Sequence, residues 1–293
     1  MPAHRTFPAD TRRAVAAALT LAVLVLAAVA SAVGLLADGF YPDIPWASAA
    51  LRGGDLVTLA VAVPTLATSL VLARRGSARA HLVWAGTLGY LVYTYAYVAF
   101  GAEFNDLFLA HVAILALAIW AVVFLLTGLP VEAVATVFGP RTPARTVAAF
   151  YCIVAAVLIG LWSSASLRQA ITGELPDGVV PPSALHMVYA TDLVFFVSPL
   201  VVAAVLLWRR TLWGFAGGTV MAVTGGLYLI NLMSAAYVQA AADVPDVAAF
   251  SPGTLALAAA FLTAAVVLPA FPWRPADMPV APQAPGLPVG HRR

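Results

Sequence analysis

Lysine is missing altogether: the 15 basic residues of this 293-residue chain are all arginine. Without a lysine no retinal Schiff base can form, which excludes a rhodopsin, and a phosphate-binding Walker loop would lack its cation. Cysteine occurs once, as Cys152. A single thiol makes neither an intramolecular disulfide nor a CxxC redox pair. Set in an apolar run, Cys152 reads as a small buried hydrophobe. Charge is scarce as well. Charged residues make up 10% of the chain, against about a quarter in soluble domains. Hydrophobic residues reach 62%, more than a water-soluble core can hide, so a lipid bilayer is the expected solvent. The arginines flank apolar segments rather than forming a patch, and nucleic acid is not an expected partner.

Crossing about 30 Å of hydrocarbon takes about 20 apolar residues. Runs that satisfy this lie near 14–36, 55–73, 80–100, 105–128, 146–167, 184–207, 211–237 and 253–271. Turn residues separate them, among them Asp38-Gly39, Gly76, Pro140, Asp177-Gly178 and Pro245. The stretch from Pro272 to Arg293 is proline-rich and aperiodic, and is expected to be a disordered tail. Cytoplasmic loops of membrane proteins concentrate arginine and lysine. With the N-terminus inside, all arginines except Arg52 and Arg168 fall on the cytoplasmic side. Of the acidic residues, only Asp10, Glu132 and Asp277 do. The expectation is an all-α integral membrane protein with eight transmembrane helices, both termini cytoplasmic, in the plasma membrane of a prokaryote. Arg12-Arg13, the apolar run and Ala30-Ser31-Ala32 resemble a signal peptide, but the run exceeds the usual 7–15-residue signal core of about that length. An uncleaved helix is expected.

The two halves resemble each other. Pro64 and Pro199, Arg74-Arg75 and Arg209-Arg210, and Tyr93 and Tyr228 are each 135 residues apart. Arg13-Ala14-Val15-Ala16-Ala17 matches Arg145-Thr146-Val147-Ala148-Ala149, and Asp55-Leu56-Val57 matches Asp192-Leu193-Val194 after a two-residue gap. This predicts two tandem four-helix repeats, 1–140 and 141–271, followed by the tail 272–293. Because four is even, both would insert in the same direction, as parallel repeats about an axis along the membrane normal. The matched prolines are expected to kink the second and sixth spans.

At about 1.5 Å per residue from the cytoplasmic end of each span, Asp55, Asp192, His111, Asn231 and Tyr95 all come to roughly 24–30 Å. Glu103 and His186 lie at or above that level. Ionisable groups within the apolar region face a bundle interior or a cavity, so these seven residues are the candidates for a pocket or for proton coupling. Asp55, at its span's outer entry, is a weaker candidate and reads first as a helix cap. The aromatics near this level, Tyr41, Trp46, Tyr93, Tyr95, Tyr97 and Phe100, read as an interfacial belt. The exception is that at least one of Tyr93, Tyr95 and Tyr97 is expected to point inward, since residues two apart on a helix face different directions.

Asp55, His111 and Asp192 could ligate a divalent metal if packing brought them together, although no HxxxH or HExxH spacing occurs. Haem fits poorly, since His111 and His186 differ in depth and His81 has no mate. Ser163, Ser164 and Ser166 lack a nucleophile-elbow context and are expected to bond back to their own helix. No family's defining motif stands in the chain. The reading that best joins the duplication, the paired prolines and the polar layer is a small transporter-like or solute-binding protein with an outward-facing pocket between the repeats. The alternatives are a membrane-embedded enzyme acting on a lipid-linked substrate through an Asp/His metal or acid–base site, and a non-catalytic subunit that packs with a membrane partner.

Overall fold

A computed structural model describes residues 8–175 and 180–272. The expected tail, Arg5 and the Asp177-Gly178 turn lie outside the described residues. Eight long helices run up and down in sequence order. We number them α1 (Ala9–Leu36), α2 (Pro45–Arg74), α3 (Ala78–Gly101), α4 (Phe108–Thr127), α5 (Ala144–Thr172), α6 (Pro182–Trp208), α7 (Leu212–Ala241) and α8 (Pro252–Ala270). A single helical turn, Val131–Ala135, lies between α4 and α5, and no strand occurs among the described residues. Seven of the eight are long and apolar enough to cross a membrane. The other, α3, is the least apolar because it carries Tyr90, Tyr93, Tyr95 and Tyr97. It is also a central helix, with 14 of its 24 residues buried.

Local chemistry accounts for the ends. Pro45, Pro182 and Pro252 sit in the first turns of α2, α6 and α8, where a missing N–H costs nothing and φ is already helical. Ser77, Thr211 and Ser251 cap α3, α7 and α8 by accepting the N–H of Ala80, Gly214 and Thr254. One expected boundary moves. The second helix begins at Pro45, ten residues before the apolar run, because Trp46–Gly54 continues it as an amphipathic stretch. Asp55 is therefore an interior residue of α2 and not its cap. Arg52 also lies on the helix, where its guanidinium donates to the carbonyl of Leu35 at the end of α1 (3.0 Å).

Both matched prolines follow the same distortion. Thr58–Ala62 and Asp192–Val197 are π-helical. In each case the residue before the proline bonds five residues back, Val63 to Thr58 and Ser198 to Leu193. Proline clashes with the carbonyl four residues earlier; an extra residue in the turn moves that carbonyl away. The expected kinks thus take the form of π-turns.

At the centre α3 packs on α7. Thr224 Oγ1 of α7 donates to the carbonyl of Gly86 on α3 (2.9 Å), and a Cβ at Gly86 would press on Val223 and on the carbonyl of Val220. A side chain there would hold the helices apart. Around this pair, α3 contacts α4 and the C-terminal part of α2, while α7 contacts α8 and the C-terminal part of α6. The N-terminal part of α2 packs on α7, and that of α6 on α3. Two apolar cores result, one mainly from α1–α4 and one mainly from α5–α8. The correspondence breaks at one place: α1 packs closely along α4, whereas α5 packs chiefly on α6. From its middle onward α5 consequently exposes Ile153, Val157, Leu161 and Leu167. Cys152 lies on this exposed face too, so the expectation that it is buried is overturned; a lipid-facing position suits a small apolar thiol equally well.

Candidate functional site: a cavity beside the central helix pair

Two buried aspartates, Asp55 and Asp192, lie within the helices, and among the described residues neither makes a salt bridge. Asp192, 1% exposed, is held where the π-turn of α6 begins. Its Oδ1 accepts from Tyr93 Oη on α3 (2.7 Å) and from Tyr228 Oη on α7 (3.1 Å). Its Oδ2 accepts from Trp162 Nε1 on α5 (3.0 Å). The two tyrosine rings meet edge to face, 4.6 Å between centroids, and Trp162 stacks on Tyr189. Four helices thus converge on one carboxyl group through neutral donors. Burial of a charged group demands such donors.

Asp55 on α2, 8% exposed, accepts from Tyr41 Oη through Oδ2 (2.6 Å). Gly34 of α1 leaves the room for this pair: a Cβ there would collide with both the carboxylate and the Tyr41 hydroxyl. Next to it, Tyr90 Oη donates to Asn231 Oδ1 of α7 (3.1 Å) and lies 3.3 Å from Thr58 Oγ1 in the π-turn of α2. The N-terminal part of α2 is tied to α7 by Ser234 Oγ on the Gly53 carbonyl (2.8 Å) and Gln239 Nε2 on the Trp46 carbonyl (2.9 Å).

Between these two arrangements lies a cavity of about 370 Å³, within the range of small-molecule sites. Asp55, Asn231, Tyr93, Tyr228, Thr94 and Tyr97 line its deep part. Trp46, Gln239, Val247 and Ala248 line the part toward the 242–251 loop. That end of the bundle carries Asp38, Asp43, Glu103, Asp106, Glu174, Asp243 and Asp246. Of its two arginines, Arg168 pairs with Glu174 (2.9 Å) and Arg52 is held by Leu35. Asp43 accepts the Glu103 N–H (3.0 Å), and burial pushes its carboxyl above the ordinary value. At the opposite end Arg13, Arg74 and His81 line a separate crevice.

Of the seven sequence candidates, Asp55 and Asn231 line the cavity, and Asp192 stands behind it through its tyrosines. The other four do not join. His111 is buried on α4 with its ring 5.9 Å from that of Tyr95, on the far side of α3 from Asp192. Tyr95 is 3% exposed and points into the first core. Glu103 and His186 are exposed, one in the loop after α3 and the other on the first turns of α6. Among the described residues no three His, Cys, Asp or Glu side chains converge as a metal site would require, so Asp55, His111 and Asp192 do not form one. Ser164 and Ser166 bond back to carbonyls of their own helix, as expected.

Tyr41, read from sequence as interfacial belt, and Tyr93, one of three tyrosines of which at least one is expected to point inward, are both 6% exposed and serve the aspartates. Trp162, Tyr90 and Gln239 were not singled out by sequence. Depth offers a signal for Trp162: counted from Ala144 it sits about 27 Å along α5, at the level of Asp192. The chain matches no family model, no curated protein and no solved structure, so its function is argued from this site alone.

Proposed function

We propose that the protein is a small transporter-like or solute-binding membrane protein whose pocket opens to the outside between two parallel four-helix repeats. Its eight helices all span the membrane of a prokaryotic cell, with both termini in the cytoplasm. The observation that carries this reading is the cavity itself: its polar groups come from both halves, Asp55 from one, and Tyr228 and Asn231 from the other. Repeat symmetry is supported by the two π-turns at equivalent prolines and by the matching partners of α3 and α7. Orientation is supported by the arginine-rich end lying opposite the cavity. The enzyme alternative, which requires Asp55, His111 and Asp192 to act together, is disfavoured because His111 lies on the other side of α3.

Cysteine labelling tests the reading. In a Cys152→Ser background, Gln239→Cys at the mouth is expected to react with a membrane-impermeant maleimide applied to intact cells. Ala133→Cys, in the opposite crevice, is expected to react only in inverted vesicles. Labelling of Ala133→Cys from outside, or of Gln239→Cys only from inside, overturns the proposed orientation.

A further inference from the structure

Resting on the reading of the cavity as a solute site, we propose that its ligand is an organic cation with an apolar body about the size of a substituted aromatic ring.

The argument begins with charge. No arginine or histidine is among the residues lining the cavity, whereas Asp55 is. Asp192 stands one hydroxyl behind the wall, its three bonds all accepted from neutral donors. Hydrogen bonds of this kind hold a carboxylate but do not neutralise it. Neither carboxyl group has a salt bridge among the described residues, and Arg52 acts on Asp55 only at longer range. A buried charge so little compensated is costly, so a ligand that brings positive charge gains what the protein itself supplies only in part. An anion would meet the reverse, with Asp55 facing it and no donor of positive charge to offset the repulsion.

The second part is shape and surface. Tyr93, Tyr97, Tyr228 and Trp46 present aromatic surface to a cavity otherwise lined by Ala, Val and Leu. Aromatic faces attract ammonium groups. Tyr93 and Tyr228 both donate their hydroxyl protons to Asp192, which leaves their rings and oxygens richer in electron density. That strengthens their attraction for a cation. A bare inorganic cation fits less well. It needs several converging oxygen ligands, whereas here apolar surface surrounds one carboxyl group, and about 370 Å³ is far more room than an ion requires.

The third part is access. Asp243 and Asp246 lie in the loop that contributes Val247 and Ala248 to the mouth. Like charges around an entrance raise the local concentration of the opposite charge and quicken its arrival. The crevice at the arginine-rich end bears the opposite sign through Arg13 and Arg74.

The experiment uses full-length protein in detergent micelles and three probes with one body: 3-phenylpropylammonium, 3-phenylpropanol and 3-phenylpropanoate. Binding is read by equilibrium dialysis and by the ligand-induced rise in Tm. Saturable binding of the ammonium compound at least about tenfold tighter than that of the other two is expected. Asp55→Asn should weaken it by about tenfold or more, while Asp43→Asn, outside the cavity, should leave it unchanged. Alcohol or carboxylate binding as tightly as the ammonium compound, with no effect of Asp55→Asn, overturns the cation and leaves the solute pocket standing. If none of the three binds, the cation proposal falls; the pocket falls with it only where Gln239→Cys also fails to label from outside. The comparison of the three head groups on the wild-type protein needs no variant to fold.

Discussion

At the scale of residues, the site around Asp192 is a small hydrogen-bonding unit in which every member is matched. Asparagine is nearly isosteric with aspartate but offers one acceptor oxygen and two donors. In Asp192→Asn the amide nitrogen must therefore face either the Trp162 N–H or the tyrosine hydroxyls. A buried donor left unsatisfied costs about 1–3 kcal/mol, and a loss of that size is expected in unfolding titrations in mixed micelles. Tyr93→Phe and Tyr228→Phe each remove one donor from the same oxygen, for about 0.5–1.5 kcal/mol apiece. Tyr93→Phe is expected to cost more, since its bond is shorter (2.7 against 3.1 Å). Because both act on Oδ1, the double variant should depart from the sum of the two. Strict additivity would mean that the hydroxyls do not share the carboxylate.

At the scale of elements, two glycines in apolar helices make opposite predictions. Gly86 lies where α3 crosses α7, and an added methyl group meets Val223 and a backbone carbonyl. Gly86→Ala is expected to destabilise by about 1–3 kcal/mol through forced separation of the helices. Gly160 on α5 has nothing within 4 Å of a Cβ. Gly160→Ala should then be neutral or stabilising, by up to about 1 kcal/mol from helix propensity. Thermal denaturation of the pair decides whether α3 and α7 form the packed centre. The π-turns of α2 and α6 belong to the same scale. Each breaks the regular ladder at a buried polar side chain, Thr58 in one and Asp192 in the other.

At the scale of the molecule, each half has its own apolar core, but the polar centre is shared. Tyr93 of the first half serves Asp192 of the second, and Asn231 of the second half accepts from Tyr90 of the first. Co-expressed fragments 1–140 and 141–293 are accordingly expected to co-purify as a complex. Fragment 141–293 alone, with Asp192 lacking one donor and the α7 seam uncovered, should be degraded or aggregate. Independent folding of that fragment, shown by a cooperative transition without its partner, would contradict the interdependence.

Much of this was legible in one dimension. Hydropathy and turn residues located all eight helices, with ends within a few residues except at α2, because burial in lipid demands apolar length and that is a local property of the chain. Counting along the spans put Asp55, Asp192, His111 and Asn231 at one expected level. Which of them meet was decided by the tertiary structure alone. Rotation of a helix about its axis depends on how it packs against non-adjacent neighbours, and in an alanine- and leucine-rich span the sequence marks no unique inward face. Packing turned Tyr93 toward Asp192 and Tyr95, only two residues on, toward the first core. It left His111 on the other side of α3, and it brought Tyr41, expected at the interface, and Trp162, not singled out by sequence, to the two carboxyl groups. A polar layer is thus set by composition and depth, while a site within it is set by the azimuth of each helix, which only the folded bundle supplies.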